Sequence, residues 1–153
     1  ALEDGEVCGI AHFTEHLLFL GSEPFPDEGE YRRYLSSHGG SSNAHTSKEY
    51  TTYYFDVLAE HFEGALLRFS PFFVAPLFNK SAVDREAKAV DNEHSRNLQN
   101  DGRRRFYLFR SFADKDHPYS RFHTGSLDTL GLRASAMIAG FDPLGLPKAV
   151  MLY

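Results

Sequence analysis

Two histidines and a glutamate lie close together near the start of the chain, at His12, Glu15 and His16. On an α-helix, residues four apart lie one turn apart on the same face, so both imidazoles can reach one metal ion from the same side. Glu15 is near enough to contact a water molecule on that metal but points in a different direction. Three protein ligands and a water are typical of catalytic zinc, so one ligand is still missing.

The residues around this triplet favour a buried helix. Gly9 precedes it, Gly21 follows it, and the positions between are apolar on nearly all sides. Polar groups in such a helix need partners, because unpaired buried polar groups are costly. The alternative is a pair of core histidines hydrogen-bonded to backbone carbonyls, since a short motif alone is only a hypothesis.

A long helix is predicted over residues 81–110, with Ser81 as its N-cap. Glu86 and Glu93 on this helix are seven residues apart, close to two turns, so both face the same way. On geometry alone, either can supply the missing carboxylate. The alternative is that both are solvated side chains on a highly charged surface, the usual position of glutamate. Periodicity leaves the two possibilities open.

Turn residues and apolar periodicity predict the elements between these two helices. Gly39 and Gly40 fit the C-terminal end of one helix, and Pro71 interrupts the last turn of another. The elements are a helix over 28–38, strands over 41–47 and 51–58, and a helix over 59–74. The strands favour an antiparallel hairpin, and the order predicts an α+β fold with helices packed on a sheet.

The motif and the spacing of the second carboxylate resemble the insulin-degrading enzyme and pitrilysin family of inverted zinc peptidases, whose helix pattern is H-x-x-E-H. That family's pattern has 76 residues before a ligating glutamate, and 76 residues separate His16 from Glu93. The resemblance extends over about residues 2–130 and is closest to the insulin-degrading enzyme and nardilysin-like branch. The segments that carry it are residues 9–21, 40–44, 53–57, 63–66 and 84–86.

The resemblance implies a role for each polar residue of the motif. His12, His16 and Glu93 would be the ligands of one zinc ion per chain. Glu15 would be the general base, and Glu86 would be the supporting carboxylate that orients a ligand imidazole.

The resemblance also implies that the strand at 41–45 offers its edge to an extended peptide. Asn43 matches a substrate-contact position, and Ala44 follows it in the same strand. Asn43 fits equally well as an edge-strand asparagine that bonds its own backbone. Phe19 and Tyr54 are further candidates to line the cleft, although aromatic residues at such spacing are more often part of the core.

The composition fits one globular domain with a hydrophobic core: 153 residues, 42% hydrophobic and 24% charged. The net charge of −5 does not suggest a nucleic-acid surface, and no apolar run reaches the length of a membrane span. A single cysteine, Cys8, excludes an internal disulfide framework and is expected to pack as a small apolar residue rather than bind metal. We expect an intracellular, cytoplasmic protein.

Residues 1–131 are predicted to form an incomplete N-terminal catalytic domain of the pitrilysin type, with its helices on a mixed β-sheet. Residues 132–153 no longer resemble the family and are predicted to be a divergent tail. The expected partners are a peptide substrate and the remaining domains of a longer parent chain.

The expected function is that of a zinc metalloendopeptidase acting on short peptides. The alternatives are a catalytically weak fragment, or a non-catalytic binding or assembly subunit of the same fold. A structural zinc domain is a third possibility, but such a site normally has four protein ligands and no adjacent base.

Overall fold

The computed structural model describes residues 7–131, which form six α-helices and one antiparallel β-hairpin. Five helices and two strands are α1 (Ile10–Leu18), α2 (Glu30–Ser37), β1 (Ser41–Thr46), β2 (Thr51–Asp56), α3 (Phe62–Phe69), α4 (Lys80–Asn97) and α5 (Asp101–Ser111). The sixth helix covers residues 127–131, and single 3₁₀ turns lie at Ala59–His61, Ser70–Phe73 and Pro118–Ser120. The predicted α+β class is confirmed. The predicted tail, 132–153, lies outside the described residues.

The helix α1 carries the predicted metal ligands His12 and His16, so we call it the metal helix, and it is fixed between two hydrophobic clusters. Phe13 and Leu17 are buried in the first cluster, where α4 contributes Val83 and Val90. On its other side, Leu18 is buried in the second cluster. The second cluster contains Tyr31, Leu35, Ala65, Phe69 and Phe72. Tyr53 and Phe55 of β2, and Val57 directly after it, are partly buried and pack against this cluster. Because α1 contributes to both clusters, its orientation relative to α4 and the hairpin is set by the core.

The hairpin pairs Ser41 with Asp56 at one end and Thr46 with Thr51 at the other. Side chains alternate between two faces of a strand, and in β1 Ala44 is buried whereas Asn43 is exposed. Thr46 therefore lies on the same face as Ala44, the face that packs against the helices. Within residues 7–131, no helix combines the length and the apolar character needed to cross a bilayer.

The prediction of a single helix over 81–110 is wrong. α4 ends at Asn97 and α5 begins at Asp101, with Asn100 as the N-cap between them. The Asn100 side chain accepts a 3.0 Å hydrogen bond from the backbone N–H of Arg103, which satisfies a donor that an uninterrupted helix would have paired internally. The predicted N-cap Ser81 is also wrong, because α4 begins at Lys80 after Asn79.

The other helix predictions agree in position but differ in their ends. α2 is closed by Gly39, which has φ 68°, and by a 2.8 Å hydrogen bond from the Gly40 N–H to the Leu35 carbonyl. The predicted helix 59–74 is instead α3 between two 3₁₀ turns, and Pro71 lies within the second turn. At the two ends of α3, Phe69 is buried but Phe62 is exposed.

Candidate metal centre

The polar faces of α1 and α4 meet at three side chains that can bind metal. His12 and His16 lie one turn apart on α1, with ring centroids 4.9 Å apart and ring planes nearly perpendicular. Glu93 reaches the two rings from α4. Its Oε2 atom is 3.6 Å from His12 Nε2 and 3.8 Å from His16 Nε2. Two helices that are distant in sequence thus present two nitrogens and one oxygen to a common point.

The tautomer of each histidine follows from the hydrogen bond at its Nδ1 atom. His12 Nδ1 is 2.7 Å from the carbonyl oxygen of Thr124, which can only accept, so Nδ1 carries the proton. His16 Nδ1 is 3.2 Å from Glu86 Oε2, and the same argument protonates this nitrogen when the carboxylate is ionised. The lone pair of each ring is then on Nε2, the atom that faces Glu93. Hydrogen bonds of this kind fix ring orientation and increase the basicity of metal-ligating histidines.

The donor set and its spacing fit a zinc ion. The ligand atoms of His12, His16 and Glu93 lie within 4.8 Å of one another, and in residues 7–131 these form the one such group of metal-ligating side chains. In tetrahedral zinc with bonds of about 2.0–2.2 Å, the ligand atoms are about 3.4 Å from one another. The Glu93 Oε2 atom is at similar distances, 3.6 and 3.8 Å, from the two histidine Nε2 atoms. The side chains are 16%, 27% and 33% exposed for His12, His16 and Glu93. The group is therefore accessible to water and offers three ligand atoms, the number that a catalytic zinc site takes from the protein.

Glu15 is bonded to the hairpin. Its Oε2 atom accepts a 2.5 Å hydrogen bond from the Thr46 hydroxyl, which is also 3.0 Å from the Thr51 hydroxyl. Glu15 and His16 both line a cleft of about 780 Å³. The carboxylate is thus beside the metal centre, in the cleft, and oriented by a residue that the sequence analysis did not identify.

The predicted substrate-binding residues do not all lie in this cleft. Asn43 and Ala44 are on its wall, together with Phe19 and Glu86. Asn43 Oδ1 accepts a 2.9 Å hydrogen bond from the Ala44 N–H. This is the alternative given in the sequence analysis, an edge-strand asparagine that bonds to the local backbone. Tyr54, opposite Asn43 in the hairpin, is 49% exposed and is absent from the cleft lining.

Thr124 was also missed by the sequence analysis. It is buried, and it lies 112 residues from the histidine that its carbonyl orients. A backbone acceptor leaves no signature in residue type, so no sequence pattern could have identified it. Cys8 is partly buried and does not belong to the metal-ligating group.

Comparison with known proteins identifies the family. Residues 1–116 match the insulinase family, peptidase family M16. The chain is a member of the insulinase family. The resemblance drawn from the motif and its spacing is thereby confirmed, and the expected classification as a zinc metalloprotease agrees with it.

Several relatives of the insulinase family are about half identical to this chain. The A-factor-processing enzyme of Saccharomyces cerevisiae is 56% identical over 132 residues, which cover 86% of this chain and 13% of that protein. The insulin-degrading enzyme of Homo sapiens is 53% identical over 127 residues, covering 83% of this chain and 12% of that protein. The nardilysin-like protein of Arabidopsis thaliana is 50% identical over 141 residues, covering 92% of this chain and 14% of that protein. The chain thus spans about one eighth of the length of these relatives.

A solved structure supports the same assignment. The crystal structure of pitrilysin superposes with a TM-score of 0.76 at 36% sequence identity, over 84% of this chain and 14% of that chain. The predicted pitrilysin type of fold is therefore confirmed.

Proposed function

We propose that this chain provides the zinc-binding part of a metalloendopeptidase that hydrolyses short peptides. The observation that carries the proposal is the convergence of His12 Nε2, His16 Nε2 and Glu93 Oε2 on one point. His16 and the neighbouring Glu15 also line the cleft. A zinc ion held by these three residues would supply Lewis acidity to the scissile carbonyl and acidify a water molecule.

Glu15 is the residue that we assign to proton transfer. Its carboxylate accepts the proton of the attacking water and donates it to the departing amine, a role that requires hydrogen-bond reach of both. The Thr46 hydroxyl donates to Oε2 and orients the carboxylate, while Oε1 is available for this exchange. Glu86 accepts a hydrogen bond from the Nδ1–H of His16 and keeps that ring in the tautomer that can bind metal through Nε2.

The β1 strand is the element that we assign to substrate binding. An extended peptide can add to a strand edge through main-chain hydrogen bonds, and Asn43 and Ala44 place β1 on the cleft wall. The Asn43 side chain would have to release the Ala44 N–H before that amide could bind a peptide carbonyl. Glu15 and His16 line the same cleft as Asn43 and Ala44, so a segment paired with β1 would lie beside the proposed catalytic residues.

We further propose that the chain by itself is a weak catalyst, because it spans only 12–14% of the length of its relatives. Rate depends on positioning of the substrate and on donors to the developing oxyanion, each worth roughly 10²–10³-fold. A weak fragment should become faster when the rest of a relative supplies these contributions. A non-catalytic binding subunit would remain inactive in any context.

The experiment compares the chain with a transplant chimera, in which this chain replaces the matching segment of the Saccharomyces cerevisiae A-factor-processing enzyme. Zinc content and cleavage of a quenched fluorescent peptide are measured for both, and for Glu15→Gln in both. We expect one zinc per chain throughout, faster cleavage by the chimera, and a loss of about 10²–10⁴-fold in the Glu15→Gln chimera. An inactive chimera that still binds zinc would favour the binding subunit, and near-normal turnover of Glu15→Gln would refute the base assignment.

A further inference from the structure

A short segment, residues 121–126, crosses the N-terminal end of the metal helix at very close range. We call it the Thr124 segment. Gly9, the N-cap of α1, has φ 88°, and Gly125 has φ 87°. A Cβ atom on Gly9 would lie 2.3 Å from Gly125 Cα, a distance that side-chain carbons do not adopt. The crossing therefore requires glycine at Gly9, and it places the Thr124 carbonyl next to the first turn of α1.

The Thr124 segment is also anchored to α5 by two side chains. The hydroxyls of Tyr107 and Thr124 are joined by a 2.6 Å hydrogen bond. Arg110, which is buried, donates to His123 Nδ1 at 2.6 Å and to the Arg121 carbonyl. Burial and the nearby Arg110 guanidinium lower the pKa of His123 to about 4, so its ring is neutral and can accept this bond.

α4 contributes a further anchor on the other side of the crossing. The Asp91 carboxylate accepts a 2.8 Å hydrogen bond from the Leu127 N–H, and Leu130 is fully buried beside Val90. The segment is thus fixed at both ends, and Thr124 lies between the anchors. Its side-chain hydroxyl is hydrogen-bonded to Tyr107, and its carbonyl accepts from His12.

We propose that Tyr107 is a positioning residue of the metal centre, acting through Thr124. The Tyr107 hydroxyl holds Thr124 in one orientation. In that orientation the Thr124 carbonyl accepts a hydrogen bond from the Nδ1–H of His12. This leaves the lone pair on His12 Nε2, directed at the point shared with Glu93. The two ligand histidines then have separate supports, Thr124 and Tyr107 for His12 and Glu86 for His16. The inference rests on the metal centre of the proposed function.

The test uses the 153-residue chain in metal-free form and with zinc. Side-chain ¹⁵N spectra of the histidines report the tautomer of each ring, and competition with a chelator gives the zinc Kd. In Tyr107→Phe we expect His12 to lose its single Nδ1–H tautomer while His16 keeps its own. Loss of such a supporting hydrogen bond typically weakens metal binding about 10–100-fold, so the zinc Kd should rise by about 10-fold.

Tyr34→Phe is the matched control, because the Tyr34 hydroxyl is also partly buried and also bonds to a residue distant in sequence, donating to the His61 carbonyl. This variant should leave both the His12 tautomer and the zinc Kd unchanged. Thr124→Ser keeps the hydroxyl and should behave as the unmodified chain, whereas Thr124→Val should reproduce Tyr107→Phe. These two variants keep the test valid if Tyr107→Phe does not fold.

Three results would overturn the inference. The first is an unchanged His12 tautomer and zinc Kd in Tyr107→Phe and Thr124→Val. The second is an equal change in His16, which would indicate a general loss of structure. The third is a similar effect of Tyr34→Phe. If the unmodified chain binds no zinc, the proposed function fails, but the metal-free spectra still decide whether Tyr107 sets the His12 tautomer.

Discussion

The Thr46 hydroxyl donates a 2.5 Å hydrogen bond to Glu15 Oε2 and thereby joins the hairpin to the metal helix. A carboxylate can only accept, so Thr46 donates to Glu15 and must accept from Thr51, whose hydroxyl is 3.0 Å away. Both threonines lie at the last pair of the hairpin register. The orientation of Glu15 therefore depends on the pairing of β1 with β2 and not on α1 alone.

Replacing Thr46 by valine should reduce turnover without reducing zinc binding. Valine has the same shape but cannot hold Glu15, and misplacing a catalytic group by about 1 Å can cost 10²-fold. We expect peptide cleavage by the transplant chimera to fall about 10- to 100-fold. The zinc Kd should not change, because the hydrogen bonds of the Thr46 hydroxyl go to Glu15 and Thr51, which are not proposed zinc ligands.

Thr46→Ser provides the control for this prediction, since serine retains the hydroxyl. It should recover most of the cleavage rate. Equal rates for Thr46→Val and the unmodified chimera would show that Glu15 needs no support from the hairpin.

The roles of the two α4 carboxylates can be separated by zinc titration. Glu93 faces both histidine Nε2 atoms, whereas Glu86 contacts His16 on the opposite ring nitrogen. Glu93→Ala should abolish stoichiometric zinc binding, while Glu86→Ala should weaken it about 10–100-fold. Asp84→Ala removes the same charge from an exposed position of α4 and should have little effect. Full zinc occupancy in Glu93→Ala would transfer the ligand role to Glu86.

The sequence was sufficient for the parts of the centre that depend on spacing within one helix. His12 and His16 share a face of α1, and Glu86 and Glu93 share a face of α4, because helical periodicity fixes both relationships. It could not reveal Thr46 or Thr124, whose bonds to Glu15 and His12 span 31 and 112 residues. Those contacts arise only when tertiary packing brings the hairpin and the Thr124 segment against α1.

The break between α4 and α5 explains why the prediction of one continuous helix over 81–110 was wrong. Continuous charge and the absence of proline favoured one helix, but Asn100 followed by Gly102 allows a new N-cap to compete with helix continuation. The break reorients α5 relative to α4. Tyr107 and Arg110 consequently reach Thr124 and His123.

Asn100→Ala should destabilise the chain by about 1 kcal/mol, the usual cost of losing an N-cap side chain. The Arg103 N–H loses its acceptor, and the first turn of α5 loosens. Asn100→Asp should retain the cap and the stability. Urea unfolding followed by circular dichroism gives the free energies of unfolding, and an unchanged value for Asn100→Ala would show that this cap contributes nothing to stability.

His123 should make the stability of the metal-free chain depend on pH. Its pKa is about 4 in the folded chain, lowered by burial and by Arg110, against about 6.5 when unfolded. Between these values the unfolded chain binds more protons, so the free energy of unfolding should fall as pH decreases from 6.5 to 4. Above pH 6.5 this contribution is fully present. In His123→Asn the decrease between pH 7 and pH 5 should be smaller than in the unmodified chain. Urea unfolding in the presence of a chelator at pH 7 and pH 5 gives the decrease in the free energy of unfolding. An identical decrease in both proteins would contradict the prediction.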